Sequence, residues 1–322
     1  MDSIKCDLEL EQPLEELAEQ IYTMREEGAY LENPGRIQEA MEEFHTRMQE
    51  IYANLTTWQT VQVARHKDRP RAIDYINLIC DDFLELHGDR AFGDDPALIG
   101  GLATFNHETV MFLAHQKGRG AKDQQFRNFG MPHPEGYRKA YRLMDMAGRF
   151  KFPVICLIDT PGAFPGLDDE ERGQSEAIAS NLALMARLRV PIIAVVIGEG
   201  GSGGALAISV ADRLLMLEHS VYTVAAPEAA ASILWRDNAF APQAAEAMRI
   251  SARELLSTGI IDELVPEPVG GAHRNPTLAA SHLQNILKEH LRDLKQHSPE
   301  ALIELRYQKF RSMGRFGRLR EN

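Results

Sequence analysis

The chain predicts an α/β fold built on a parallel sheet, and three observations carry that expectation. Two apolar runs, "PVICLIDT" (Pro153–Thr160) and "PIIAVVIG" (Pro191–Gly198), show no polar alternation, as strands buried on both faces do. Each run ends in a glycine-bearing loop, "PGAFPG" (Pro161–Gly166) and "EGGSGG" (Glu199–Gly204). Each loop is followed by a helical pattern, one from about Gln174 to Arg189 and one from about Ala205. Repeated strand–loop–helix units of this kind give parallel strands with crossover helices. Both loops then fall at the carboxyl ends of strands, where open α/β sheets place their ligands.

The remaining elements follow in chain order. Leu14, Leu17, Ile21 and Met24 recur every three or four residues, and so do Ile37, Met41, Phe44, Met48, Ile51 and Leu55. Each set places one apolar stripe on a helix. With a turn at Asn33-Pro34-Gly35 between them, they predict a helical hairpin over residues 1–60 that docks on another surface. "LIGGLATF" and "TVMFLAHQ" flank Asn106-His107-Glu108 and read as a β-hairpin. A loop rich in glycine, proline and charge follows (residues 117–136), then a helix over about 135–150 with Tyr137, Tyr141, Met144 and Ala147 on one face. "RLLML" and "VYTVAA" add strands, and residues 277–295 and 299–313 read as amphipathic helices. A central unit over 61–296 and a C-terminal helix with a basic tail over 297–322 complete the division.

Composition narrows the function classes. A formal net charge of −12 argues against nucleic acid or an anionic membrane as the main partner. The run Arg306, Lys309, Arg311, Arg315, Arg318 and Arg320 is a local exception, expected to be a solvated helix face and tail. Cys6, Cys80 and Cys156 are too dispersed for a zinc site or a disulfide framework and suit a reducing compartment. The acidic start resembles no secretory or transit signal, and no apolar run is long enough to span a bilayer. A cytoplasmic protein is expected.

The stretch "GEGGSGG" (Gly198–Gly204) admits three uses. Gly198, Gly200 and Gly203 match a dinucleotide fingerprint, with Glu218 as a ribose acid, but the nine or ten residues before the next strand are too few for the crossover helix. Gly200, Ser202 and Gly204 match a serine-hydrolase elbow, which then needs an acid and a later histidine. His219, His273, His282, His290 and His297 are available, and His273 alone sits in a glycine-rich loop. The third use is a backbone cradle that aims N–H groups at an oxyanion, which requires no triad.

Longer motifs carry a family resemblance. "HQKGR" (His115–Arg119), "RNFGMPHPEGYRKA" (Arg127–Ala140), "IDTPGAFPG" (Ile158–Gly166) and "EERGQSEAIA" (Glu170–Ala179) appear in that order. "VIGEGGSGGALAI" (Val196–Ile208), "ASILW" (Ala231–Trp235) and "PEPVGGAHRNP" (Pro266–Pro276) follow them. Together they resemble the carboxyltransferase α subunits of multi-subunit bacterial acetyl-CoA carboxylases, over nearly the whole chain. Departures are small: Gly120-Ala121 stands where an acid and a threonine are expected, and alanines fill "APEAAAS" (Ala226–Ser232).

The resemblance implies a crotonase-like (ClpP/crotonase) fold of repeated ββα units. It implies transfer of a carboxyl group from carboxybiotin, borne on a biotin carboxyl carrier protein, to acetyl-CoA, giving malonyl-CoA for fatty acid synthesis. Biotin is thus not bound covalently here, and biotin carboxylase belongs to the same complex. The biotin ureido oxygen and the acetyl-CoA enolate both carry negative charge, so both call for N–H donors and neither for a protein nucleophile. Carried across, Gly203 and Gly204 hold the ureido oxygen, Gly200 and Gly201 shape the turn, and Gly162 and Ala163 line the biotin side. Lys117 and Arg119 contact CoA phosphates or the biotin carboxylate, or else lie on a solvated loop. The partner β subunit would bear a zinc ribbon and the other oxyanion hole, in an assembly of two α and two β chains. The runner-up function is a serine hydrolase using Ser202, and a carrier-docking scaffold is a third.

Overall fold

The two apolar runs become central strands, and alternation within them sorts their side chains to opposite faces of one sheet. A computed structural model describes residues 6–26 and 34–314. Among those residues the sheet comprises β1 (Phe83–Glu85), β2 (Leu98–Phe105), β3 (Glu108–His115), β4 (Val154–Thr160), β5 (Ile192–Gly201), β6 (Arg213–Leu217), β7 (Val221–Thr223) and β8 (Glu263–Val265). Its order is β1-β2-β3-β4-β5-β6-β8, with β7 paired to the far end of β5. Pairing is antiparallel from β1 to β3 and parallel from β3 onward. Asn106 (φ 50°) and His107 (φ 65°) close the β2–β3 hairpin with two left-handed residues, the two-residue turn that matches strand twist.

Helices cover both faces. On the N-terminal side these are α1 (Glu15–Glu26), α2 (Pro34–Ala53), α3 (Thr57–Ala64) and α4 (Ala72–Ile79). Then come α5 (Gly120–Phe126), α6 (Pro134–Phe150), α7 (Leu167–Glu171), α8 (Gln174–Arg187) and α9 (Ser202–Leu206). The chain continues through α10 (Pro227–Trp235), α11 (Ala241–Met248), α12 (Ala252–Ser257), α13 (Pro276–Leu294) and α14 (Pro299–Ser312). Val154, Cys156 and Ile158 of β4 and Ile192, Ala194 and Val196 of β5 face α6 and α8. Ile155 and Leu157, with Ile193, Val195 and Ile197, face α4 and α13 instead. Each fully buried aliphatic side chain contributes about 1.5–3 kcal/mol, so the strands that carry the two loops are among the most strongly held parts of the molecule.

Several sequence expectations need correction. The stretch after Lys117 contains α5 and is not loop throughout. Pro34 and Gly35 already belong to α2, and Asn33 lies outside the described residues. The helix expected from Ala205 begins at Ser202 and lasts five residues. So short a crossover leaves no dinucleotide unit, and Glu218 is spent on Arg253 at 2.7 Å. Arg306 is no solvated cation either. It is 1% exposed, binds Asp212 at 2.9 Å, and donates to the carbonyls of Met185, Leu188 and Val190. Arg315, Arg318 and Arg320 lie outside the described residues.

Candidate active site

The glycine stretch divides into an extended half and a turn. Gly198 to Gly201 continue β5 as strand, with Gly200 opposite Thr160 of β4 on one side and Tyr222 of β7 on the other. The turn starts only at Ser202, the one residue of the stretch with positive φ (50°). Gly200 and Gly201 therefore do not shape the turn. They are glycines because their neighbours leave no room: a Cβ at 200 would lie 2.5 Å from the Tyr222 ring, and one at 201 would lie 2.1 Å from Pro161 O. Gly198 is likewise required, since a Cβ there would meet Asp159 Oδ1 at 2.5 Å.

Gly204 marks the point where the two loops touch. A Cβ would come 2.5 Å from Gly162 C and 2.7 Å from Ala163 N, backbone against backbone. Gly203 differs from the others: a Cβ there meets only Ile178 Cδ1, at 3.6 Å. It borders an apolar cavity of about 490 Å³ whose other walls include Ser202, Leu206, Tyr222, Ile250 and Ile260. As first residues of α9, Gly203 and Gly204 have N–H groups with no partner inside the helix. Tyr222 is held in that wall by its hydroxyl, 2.9 Å from Ser209 Oγ.

The first loop is fixed by its own hydrogen bonds. Thr160 Oγ1 accepts the Gly162 N–H at 3.1 Å and donates to Gly162 O at 2.8 Å, so the Gly162 N–H is already spent inside the loop. Phe164 N–H and Gln174 Nε2 both donate to Pro132 O at 3.0 Å. His133 packs at a tilt against the Phe164 ring, centroids 4.6 Å apart, and hydrogen-bonds Asp169. Gly162 and Ala163 thus back the Gly204 turn and are not walls of the cavity beside Gly203, because Gly204 stands against them.

Lys117 occupies neither a solvated loop nor a free ligand position. Its Nζ lies 2.7 Å from Asp159 Oδ1 and 2.6 Å from Glu199 Oε2. Burial works against the charge, but the two carboxylates outweigh it and raise the Lys117 pKa. Burial likewise opposes ionisation of Asp159 and Glu199, yet Lys117 with Arg71 holds the first below the usual carboxylate range and Lys117 with Arg65 the second. Arg119 is exposed and pairs with Asp74 at 2.7 Å. Beside this cluster His115 is fully buried at the end of β3, and burial pushes its pKa down to about 3, so it stays neutral. Sequence reasoning missed Arg65, Arg71, Asp159, Glu199 and Glu228. An acid ending an otherwise apolar strand, Asp159 in "LIDT", was the available signal, because buried charge demands a partner.

The nucleophile elbow fails for want of a base. Ser202 is exposed and its strained backbone suits an elbow, but among the described residues its hydroxyl has no hydrogen bond to a histidine or carboxylate. His273 is stacked on His66, with ring centroids 3.8 Å apart. His282 binds Pro266 O, and His290 binds Glu263. His219 packs edge-on against Tyr52. Without a general base the hydroxyl is a poor nucleophile.

A family model described as acetyl co-enzyme A carboxylase carboxyltransferase-like matches residues 7–314. The acetyl-coenzyme A carboxylase carboxyl transferase subunit alpha of Geobacter metallireducens is 54% identical over 310 residues, covering 96% of this chain and 98% of its own. That of Thermus thermophilus is 52% identical over 314 residues, covering 96% and 98%. Among solved structures, a Pseudomonas malonate decarboxylase hetero-tetramer in complex with coenzyme A aligns with a TM-score of 0.59 at 21% identity, over 73% of this chain and 92% of that one. Transcarboxylase 12S, with methylmalonyl-coenzyme A and methylmalonic acid bound, aligns with a TM-score of 0.58 at 21% identity, over 69% and 41%. At those identities the structures speak to the fold, which is crotonase-like with mixed α/β architecture. The sequence matches decide the rest: this chain belongs to the family of acetyl-CoA carboxylase carboxyltransferase α subunits.

Proposed function

We propose that this chain is the α half of a carboxyltransferase, moving a carboxyl group from carboxybiotin on a carrier protein to acetyl-CoA to form malonyl-CoA. Family membership supports the reaction. The observation that carries the site is the Gly203–Gly204 turn, beside an apolar cavity of about 490 Å³, where the Ser202 hydroxyl has no histidine or carboxylate partner among the described residues. Biotin enters as a substrate group, and when bound it supplies the carboxyl. The chain's own part is to present N–H donors and to exclude water. Gly203 and Gly204 donate to the ureido oxygen, where negative charge develops, and the apolar walls strengthen each hydrogen bond by lowering the local dielectric. One such donor is worth roughly 10²–10³ in rate.

The partners follow from the same reaction. A β subunit supplies the acetyl-CoA side in an assembly of two α and two β chains, its zinc ribbon included, and biotin carboxylase recharges the carrier protein. The helical hairpin of residues 1–60 serves subunit docking, residues 61–296 form the carboxyltransferase unit, and residues 297–322 close the chain. The enzyme is proposed to work in the cytoplasm; among the described residues no helix is long and apolar enough to cross a membrane. The test is biotin-dependent conversion of malonyl-CoA to acetyl-CoA by this chain alone and with its β partner. Activity only in the mixture is expected. A verified complex without activity overturns the proposal.

A further inference from the structure

One ammonium group joins the two loops. The stem of Lys117 runs beneath Gly130, where a Cβ would come 2.5 Å from Lys117 Cγ, and its charge lies largely covered between Asp159 and Glu199, the Lys117 side chain being 11% exposed. Those carboxylates belong to the ends of different strands, Asp159 to β4 and Glu199 to β5. The same Asp159 Oδ1 also accepts the Glu199 N–H at 3.0 Å, in space that Gly198 leaves open. Outside this pair, Arg65 at the end of α3 binds Glu199 at 2.7 Å and Glu228 of α10 at 2.5 Å. Arg71, at the start of α4, binds Asp159 Oδ2 at 3.2 Å. Arg65, Arg71 and Lys117 thus face Asp159, Glu199 and Glu228, and the charges balance.

Resting on the carboxyltransferase function above, we propose that Lys117 is a positioning residue. Its ammonium ties the ends of β4 and β5 together, so that the Gly203–Gly204 turn keeps its place against Gly162–Ala163. A compact point charge with three donors suits this task, since it meets two carboxylates from different strands at once. Nothing here requires Lys117 to touch CoA or biotin. A displacement of about 1 Å at such a site costs roughly 10²-fold in rate.

The charge balance supplies a signature beyond lost activity. With Lys117→Met, Asp159 and Glu199 face each other without the cation between them, and like charges favour uptake of a proton by one of the pair. The other groups facing them are His115 on β3, Arg65, Arg69 and Arg71 around α3 and α4, Tyr75 on α4, and Glu228 on α10. None of these fills the gap left by Nζ. A carboxylic acid hydrogen-bonded to a carboxylate then bridges the two strand ends, so lowering the pH partly restores the register.

The experiment uses the α–β complex, assayed for malonyl-CoA decarboxylation with biotin. Lys117→Met is expected to lower kcat by roughly 10²-fold with KM for malonyl-CoA within about threefold. The deficit narrows at pH 6 and widens at pH 8. Should that variant not assemble, Lys117→Met with Glu199→Gln restores charge balance, and its comparable loss is expected to be independent of pH. Hydrogen exchange at residues 160–166 and 198–204 is expected to speed up in either variant, a readout that does not depend on the reaction. Wild-type exchange in both loops, or a kcat within threefold of wild type, overturns the proposal, and so does a Lys117→Met deficit that ignores pH. An inactive wild-type complex overturns the carboxyltransferase function instead, and the exchange data then still decide whether Lys117 holds the loops.

Discussion

Replacing Gly204 with alanine adds one methyl group where two loop backbones already touch. Its Cβ would lie 2.5 Å from Gly162 C, 2.7 Å from Ala163 N and 2.9 Å from Gly162 O. Relieving those contacts requires the loops to part by about 1 Å, because close-packed backbone has no flexible end that can swing aside. The 161–166 loop resists, being pinned by Thr160 and Gln174. The α9 turn therefore moves, and with it the proposed donors. Losing one donor costs roughly 10²–10³ in kcat, or about 2.7–4 kcal/mol of transition-state stabilisation. Overpacking adds a stability loss of about 1–3 kcal/mol. Gly203→Ala is the control, since its methyl meets only Ile178 at 3.6 Å and its backbone is not left-handed. The assay is malonyl-CoA decarboxylation by the assembled complex, with the assembled fraction counted. Gly204→Ala is expected to lose roughly 10²–10³ in kcat, and Gly203→Ala to stay within about tenfold of wild type. Equal effects at the two positions, or a benign Gly204→Ala, would refute the cradle geometry.

Other expectations are cheaper to check. Ser202→Gly removes both the hydroxyl and the strain of a positive φ, so melting should show a gain of about 1 kcal/mol with activity kept within about threefold; loss of all activity would revive the hydrolase. Arg306→Met leaves Asp212 buried and strips donors from three carbonyls, and a loss of about 3–5 kcal/mol is expected in urea titrations. Acid should destabilise the fold in two stages. Burial, helped by His66 and Arg274, pushes the His273 pKa down to about 3 from 6.5, so the unfolded chain binds the proton more readily and stability falls as pH drops below 6.5. Burial opposes the Glu267 charge, but Arg69 holds its pKa down to about 2 from 4.5; its contribution is complete above pH 4.5 and is lost toward pH 2. His115, His66 and His219 are held below 6.5 in the same way, so His273→Phe should make the fall in melting temperature below pH 6.5 shallower without abolishing it, and an unchanged slope there would contradict this.

Local pattern alone determined six of the eight described strands, the hairpin, the long helices and the position of both loops, because apolar runs, two-residue turns and helical stripes are properties of neighbouring residues; the three-residue strands β1 and β8 are too short to show such a pattern. The motifs also settled the family. Sequence could not say why each glycine is a glycine. Gly198 makes room for Asp159, Gly200 for Tyr222, Gly201 for Pro161 and Gly204 for Gly162, and only a sheet that brings those partners alongside assigns the reasons. The same holds for charge. Lys117 in "QKGRG" reads as a ligand contact or a solvated loop lysine, and Arg306 as one cation in a basic helix, until distant carboxylates close on them. Burial of an ion is decided by everything packed around it, and the carboxylates within reach of Lys117 come from positions 42 and 82 places away in the chain. Spacing along the chain placed the loops at the ends of their strands; the contacts that hold them in register exist only across the fold.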